Sequence, residues 1–161
     1  FSKADFIKIE TDKNNIEIVN CLTNNKINVV SHIGITPQKF SDFKKIKSVG
    51  KTKSQINKLL NLAIKLQQTG SKLIVLECMG KDASKMITKS LSIPTIGIGA
   101  SKYCDGQVLV IDDILGFDES KKKPKFVKSF TNIEKIISKA IERFAKEVRS
   151  KQFPSNKHSY K

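Results

Sequence analysis

A chain of 161 residues is long enough to bury one sizeable core. Its net charge of +15 at pH 7 raises nucleic acid as a partner, but the pattern argues against one: apart from a short run at Lys121 to Lys123 the lysines are scattered, Arg143 and Arg149 are the only arginines, and tryptophan is absent. Three widely spaced cysteines with no Cys-x-x-Cys pair indicate neither a disulfide framework nor a zinc site, and no apolar stretch approaches the roughly 20 residues of a membrane span, so a cytoplasmic protein binding neither nucleic acid nor membrane is expected.

The chain opens at Phe1 without a methionine, and "FSKADFIKIE" already leads into an apolar run, as the middle of a longer protein would. The first expected strand is "FIKIE" (6–10), where Lys8 and Glu10, two apart, point to one side. "NVVSH" (28–32) is the second. Residues 54–68 carry Ile56, Leu59, Leu60, Ala63, Ile64 and Leu66 at helical spacing and stop before Gly70. "LIVLE" (73–77) is the third strand, and a helix over 82–91 follows with Ala83, Met86 and Ile87 on one face. "TIGIGA" (95–100) and "VLVIDD" (108–113) complete five apolar runs. A last helix, 132–149, begins with capping-box spacing at Thr131 and Glu134, carries an apolar stripe from Ile133 to Val148, and leads into a tail, 150–161.

The runs at 28–32, 73–77 and 108–112 are nearly continuous in Val, Ile and Leu, as strands covered on both faces require, so parallel sheet is expected. Strands alternating with helices predict an α/β fold with right-handed crossovers. Four of the five runs end in a titratable residue: Glu10, His32, Glu77 and Asp112. A doubly wound sheet would also gather strand ends at a cleft. Five strands, four of them closing on functional-looking chemistry, favour a (β/α)₈ TIM barrel, whose catalytic residues sit at the carboxyl ends of its strands. A full barrel takes about 250 residues, so residues 1–161 are expected to form a partial single barrel domain, about the last five of eight strands, with the N-terminal strands missing.

Each site candidate has an ordinary reading beside the functional one. A carboxylate is costly to bury, so Glu77 is a solvated strand end, an ion-pair partner or a catalytic group on the rim of a pocket. His32 is a hydrogen-bonded structural histidine or a pocket residue. Lys8 and Glu10 are a surface ion pair, or a cation and a metal-binding carboxylate aimed inward. "GIGAS" (97–101) lacks the spacing of a phosphate loop, and its glycines suit close backbone packing.

Five ordered blocks, "SHIGITPQ" (31–38), "LIVLEC" (73–78), "IPTIGIGA" (93–100), "CDGQVLVIDDILG" (104–116) and "PKFVK" (124–128), together with the tail "FPSNKHSY" (153–160), resemble the ketopantoate hydroxymethyltransferase family. The resemblance implies a (β/α)₈ barrel, a Mg²⁺ ion, and transfer of a one-carbon unit from the co-substrate 5,10-methylenetetrahydrofolate to 3-methyl-2-oxobutanoate, giving ketopantoate for pantothenate and coenzyme A synthesis. By position, Glu77 matches the family's proton acceptor, Lys8 its keto-acid-binding lysine and Glu10 a glutamate at the metal, while His32 falls on a histidine of the "SHIGITPQ" block in the pocket. The family's two metal-binding aspartates and substrate-binding serine match nothing here, Ser101 stands where the family has glycine, and homodecamers are implied for the intact protein. The reaction suits these residue types: removing the C3 proton of a 2-keto acid needs a base, and a cation must meet the charge arriving on the carbonyl oxygen. Two other readings are a Mg²⁺-dependent lyase or mutase of the phosphoenolpyruvate and isocitrate lyase type, whose cysteine loop motif is absent, and a noncatalytic basic binding module.

Overall fold

Branched apolar residues at 29–33 and 73–76 suit strands buried on both sides, and in the computed structural model they form the centre of a five-stranded parallel sheet. The structure describes residues 3–36, 48–117 and 123–160; Pro37 and Gln38 of the "SHIGITPQ" block, and Lys121 and Lys122 of the lysine run, lie outside them. Residues Phe1–Val108 and Leu109–Lys161 form two compact units. The first contains strands β1 (Ile7–Glu10), β2 (Val29–Gly34), β3 (Leu73–Glu77), β4 (Thr95–Ile98) and β5 (Gly106–Gln107), and helices α1 (Ile16–Asn24), α2 (Lys53–Gln68) and α3 (Lys81–Ser90).

The strands stand in chain order, β1-β2-β3-β4-β5, and every pairing is parallel. Each right-handed crossover therefore steps the same way along the sheet and leaves its helix on the same face. The core bears this out: Ile16 and Val19 of α1, Ala63 and Leu66 of α2, and Ala83 and Ile87 of α3 pack in one cluster with Val29, Ile33, Ile74 and Leu76. A doubly wound sheet needs a reversal of strand order and helices on both faces. Neither occurs among the described residues of this unit.

Side chains alternate along each strand, so the register sorts the sheet into two faces. Val29, Ser31, Ile33, Ile74, Leu76 and Thr95 lie under the helices and are buried. Lys8, Glu10, Val30, His32, Leu73, Val75 and Glu77 occupy the other face, with Lys8 opposite Val30, Glu10 opposite His32, and Glu77 opposite Gly34.

Three expectations are corrected. The run at 108–112 is not a strand: β5 ends at Gln107, and Ile111–Leu115 form a short helix, α4, in the second unit. A short apolar run does not distinguish strand from helix by periodicity. Asp112 and Asp113 in the first turn favour the helical amino terminus, and Gly116, at φ 72°, closes it in the left-handed conformation. Second, the final helix, α5 (Ile133–Arg149), is capped by Asn132, whose side chain accepts from the Lys135 amide, and not by Thr131. Third, Met86 turns outward while Ala83 and Ile87 are buried.

Helix α1 was not legible in the sequence. Its residues, "IEIVNCLTN", include β-branched and Asn side chains that each cost up to about 0.7 kcal/mol relative to Ala in a helix. Burial of Ile16 and Val19, at roughly 1.5–3 kcal/mol for each side chain, offsets that cost.

In the second unit the amide of Phe130 donates to the carbonyl of Ile114, and the tail folds back on α5, Phe153 meeting Phe144 edge-on at 5.5 Å. The stripe of α5 stays open within its unit: Ile136, Ile137, Ile141, Phe144 and Val148 are all exposed. At the start of β1, Phe6, just before the strand, and Ile7 are exposed beside an edge with no described partner. Exposed edges and apolar stripes invite intermolecular pairing, so the isolated 161-residue chain is expected to associate despite its charge of +15. Light scattering checks this, and a monodisperse monomer that melts cooperatively would contradict it.

Candidate active site

Glu77 ends β3, a strand flanked on both sides, and its side chain points to the face opposite the helices. His32 on β2 is its neighbour on that face. Its Nε2 lies 3.0 Å from Glu77 Oε2, with the two side chains 3% and 13% exposed. The approach is ionic in distance but off the angle of a hydrogen bond, and both ring nitrogens of His32 are buried without a hydrogen-bond partner among the described residues. An orphaned buried imidazole is costly, on the order of 1–3 kcal/mol for each unsatisfied polar group. Structural histidines normally resolve that cost within the fold.

The backbone around the pair is held at several points. Past β1, Thr11 donates from both its amide, at 2.8 Å, and its Oγ1, at 3.0 Å, to the carbonyl of His32. Asn15 donates from Nδ2 to the Glu10 carbonyl at 2.7 Å, fixing the end of β1. Gly34 adopts φ 108°, and a Cβ there would run into the carbonyl oxygen of Glu77. The Ile35 amide donates to that same oxygen at 3.0 Å. Beyond Glu77, Cys78 takes φ 49° while its amide donates to Ile98 and its carbonyl accepts from Val49. Burial, and then the neighbouring charge of Glu77, push the Cys78 thiol up to about 11, so it stays protonated near neutral pH and is no nucleophile there.

Of the four expected site residues, the structure brings His32 and Glu77 into contact. It places Glu10, half-buried, in the ladder position opposite His32. Lys8 is on the same face but two residues back and exposed. His32 is not a strand end, since β2 runs on to Gly34, and Asp112 sits in α4, not at a strand end. Thr11, Asn15 and Gly34 escaped the sequence reading. A hydroxyl or amide residue just past a strand end and a glycine two residues after a strand histidine were the available signals. Ser101 braces the turn before β5, where its Oγ accepts from the Tyr103 amide and its carbonyl accepts from Gln107 Nε2 at 2.9 Å.

Among the described residues no group of three or more His, Cys, Asp or Glu side chains is placed to hold a metal ion. Mg²⁺ prefers an octahedral shell of oxygens, and Glu10 offers a single carboxylate, so these residues alone do not fit a Mg²⁺ site. A cavity of about 520 Å³, lined by Asn20, Asn24, Lys26, Asn28, Gln68 and Lys72 among others, opens at the opposite, amino end of the strands and takes no part in this site. No described helix is long and apolar enough to cross a membrane.

A carboxylate at the end of a flanked parallel strand, beside a buried imidazole and with carboxylate and ammonium groups on the same face, is equipped for proton transfer on a small anionic molecule. The chain is 45% identical over 159 residues to 3-methyl-2-oxobutanoate hydroxymethyltransferase of Pelagibacter ubique, covering 99% of this chain and 60% of that protein. It is 46% identical over 157 residues to the protein of the same name from Thermosipho africanus, covering 98% and 59%. The protein of that name from Buchnera aphidicola is 42% identical over 159 residues, covering 99% and 60%. The chain thus spans about 60% of the length of the curated relatives it matches. The family model described as ketopantoate hydroxymethyltransferase matches residues 1–156, nearly the whole sequence, and the chain belongs to that family.

Proposed function

We propose that the protein carrying this chain transfers a hydroxymethyl group from 5,10-methylenetetrahydrofolate to 3-methyl-2-oxobutanoate, giving ketopantoate for pantothenate synthesis. The observation that carries the reading is the placement of Glu77, at the carboxyl end of β3 on the face opposite the helices and 3.0 Å from His32, in a chain of this family. In this reading the sheet is a sector of a (β/α)₈ barrel, supported by its one-directional winding, and the face bearing Glu10, His32 and Glu77 lines the interior. The whole protein is cytoplasmic and homo-oligomeric.

The chemistry follows from the side chains. Lys8, with a flexible stem and a compact charge, meets the substrate carboxylate. Glu77 takes the proton from C3; the C3–H electron pair becomes the C2=C3 bond, and the C2 carbonyl oxygen becomes an enolate. The enolate carbon then attacks the methylene carbon of the folate as one of its two C–N bonds breaks onto nitrogen; water displaces the second nitrogen and leaves the hydroxyl on that carbon, and the proton taken from C3 and one from water complete tetrahydrofolate. Mg²⁺ belongs to this reading as the cofactor of the whole protein, with Glu10 as one oxygen donor and the other donors outside the described residues.

The test is direct. The full-length protein, given both substrates and Mg²⁺, is expected to form ketopantoate detectable by mass spectrometry, and to exchange the C3 hydrogen of 3-methyl-2-oxobutanoate in D₂O. Absence of both would overturn the reading.

A further inference from the structure

The proposed chemistry assigns the proton transfer to Glu77 but leaves unexplained why a histidine whose ring nitrogens have no hydrogen-bond partner among the described residues is buried beside it. Resting on that reading, we propose that His32 is a positioning residue for the Glu77 carboxylate: its Nε2 holds Oε2, so that Oε1 is the oxygen presented to the substrate.

Three observations support this. His32 is buried, at 2% exposure, and among the described residues neither ring nitrogen has a hydrogen-bond partner, which is unusual for a histidine kept for structural reasons alone. Its main chain, by contrast, is fixed: the strand ladder on both sides and the double donation from Thr11 to its carbonyl hold the residue in place. The ring therefore projects from a rigid position, the condition under which a neighbour can direct another side chain. Finally, Nε2 lies 3.0 Å from Oε2, within hydrogen-bond distance although no hydrogen bond is formed between them. Apo catalytic pairs are commonly loose in this way and tighten with substrate.

A glutamate has rotatable χ angles, and a carboxylate free to turn spends much of its time aimed away from the C3 proton. Fixing one oxygen removes that freedom before the substrate arrives. Misplacement of a reacting group by about 1 Å can cost roughly 10²-fold in rate, which sets the scale of the effect.

The test is a double-substitution cycle in the full-length protein, read as kcat and KM separately. His32→Leu is expected to lower kcat by about 10- to 100-fold with KM within about threefold, and to cost less than about twofold in the Glu77→Gln background, because a positioning residue has nothing left to position there. His32→Gln, whose amide can place an N–H where Nε2 stood, should recover most of kcat; His32→Asn, whose shorter amide reaches only the Nδ1 position, should not. The Gln and Asn pair keeps the test decisive even if the Leu variant fails to fold. Equal losses from His32→Leu in both backgrounds, a raised KM at unchanged kcat, or equal activity of the Gln and Asn variants would overturn the proposal. A wild-type protein without hydroxymethyl transfer, or a Glu77→Gln protein with wild-type kcat, instead removes the functional reading beneath it, so the two failures are distinguishable.

Discussion

Replacing Glu77 by Gln in the full-length protein is expected to lower kcat by roughly 10²- to 10⁴-fold, the range for loss of a general base. The substitution keeps the shape of the side chain and its contact with His32 Nε2, at 3.0 Å in the structure, but removes the oxygen that would accept the proton. KM for 3-methyl-2-oxobutanoate should change little, because the substrate carboxylate is assigned to Lys8, which stands two residues before Glu10 on β1. Deuterium exchange at C3 of the keto acid isolates the step from the folate half of the reaction and should fall in parallel with kcat. Exchange at the wild-type rate in the Gln protein would assign the proton to another group. Cys78, although adjacent, is a poor substitute: its thiol, pushed up to about 11 chiefly by burial, would have to give up its own proton first.

Gly34→Ala is expected to destabilise the fold by roughly 2–4 kcal/mol and to disturb the site as it does so. Gly34 adopts φ 108°, outside the region an L side chain readily enters, and the added Cβ would meet the backbone carbonyl of Glu77. Either strain could be relieved only by moving β2 away from β3 at the place where their ladder pairs Gly34 with Glu77 and where Ile35 donates to the Glu77 carbonyl. Relief of the strain therefore shifts Glu77 relative to His32. Urea denaturation should show a lower midpoint, and kcat should fall at temperatures where the variant remains folded. Gly70→Ala is the informative control. It also has positive φ, at 100°, but its added Cβ would meet the side chain of Thr23, a more yielding neighbour than backbone, at the amino end of the sheet. It should reduce stability without a matching loss of kcat in the folded fraction. Unchanged stability in Gly34→Ala would mean that the strand end adapts more freely than this packing allows.

Much of the sheet was legible because its signals are local. "LIVLE" and "NVVSH" are continuous branched runs, and the structure makes them β3 and β2, the two strands that supply the sheet's buried side of the core cluster. Helix α2 could be read from its 3.6-residue rhythm and from the glycine beyond it. The errors fell where the local signal was ambiguous or outweighed. "VLVIDD" has the composition of a strand, yet two aspartates suited to a helical first turn and a left-handed Gly116 turn part of it into α4. "IEIVNCLTN" has poor helical propensity, and burial of Ile16 and Val19 decides the matter. A helix whose stability comes from what it touches is invisible in a window that contains only itself.

The order of residues was enough to establish an α/β protein with parallel strands, to close two of those strands on Glu10 and Glu77, and, through five ordered blocks, to identify the family to which the chain belongs. These are matters of period, residue type and spacing along the chain. The folded chain was needed to see that the strands wind in one direction with their helices on one face, because crossover direction and strand order are relations between segments distant in sequence. The fold also placed His32 against Glu77, from a neighbouring strand, with its imidazole buried and without a hydrogen-bond partner among the described residues. Burial and hydrogen-bond satisfaction depend on what other segments supply, so the residue that reads most ambiguously in the sequence acquires its meaning only when β2 and β3 lie side by side.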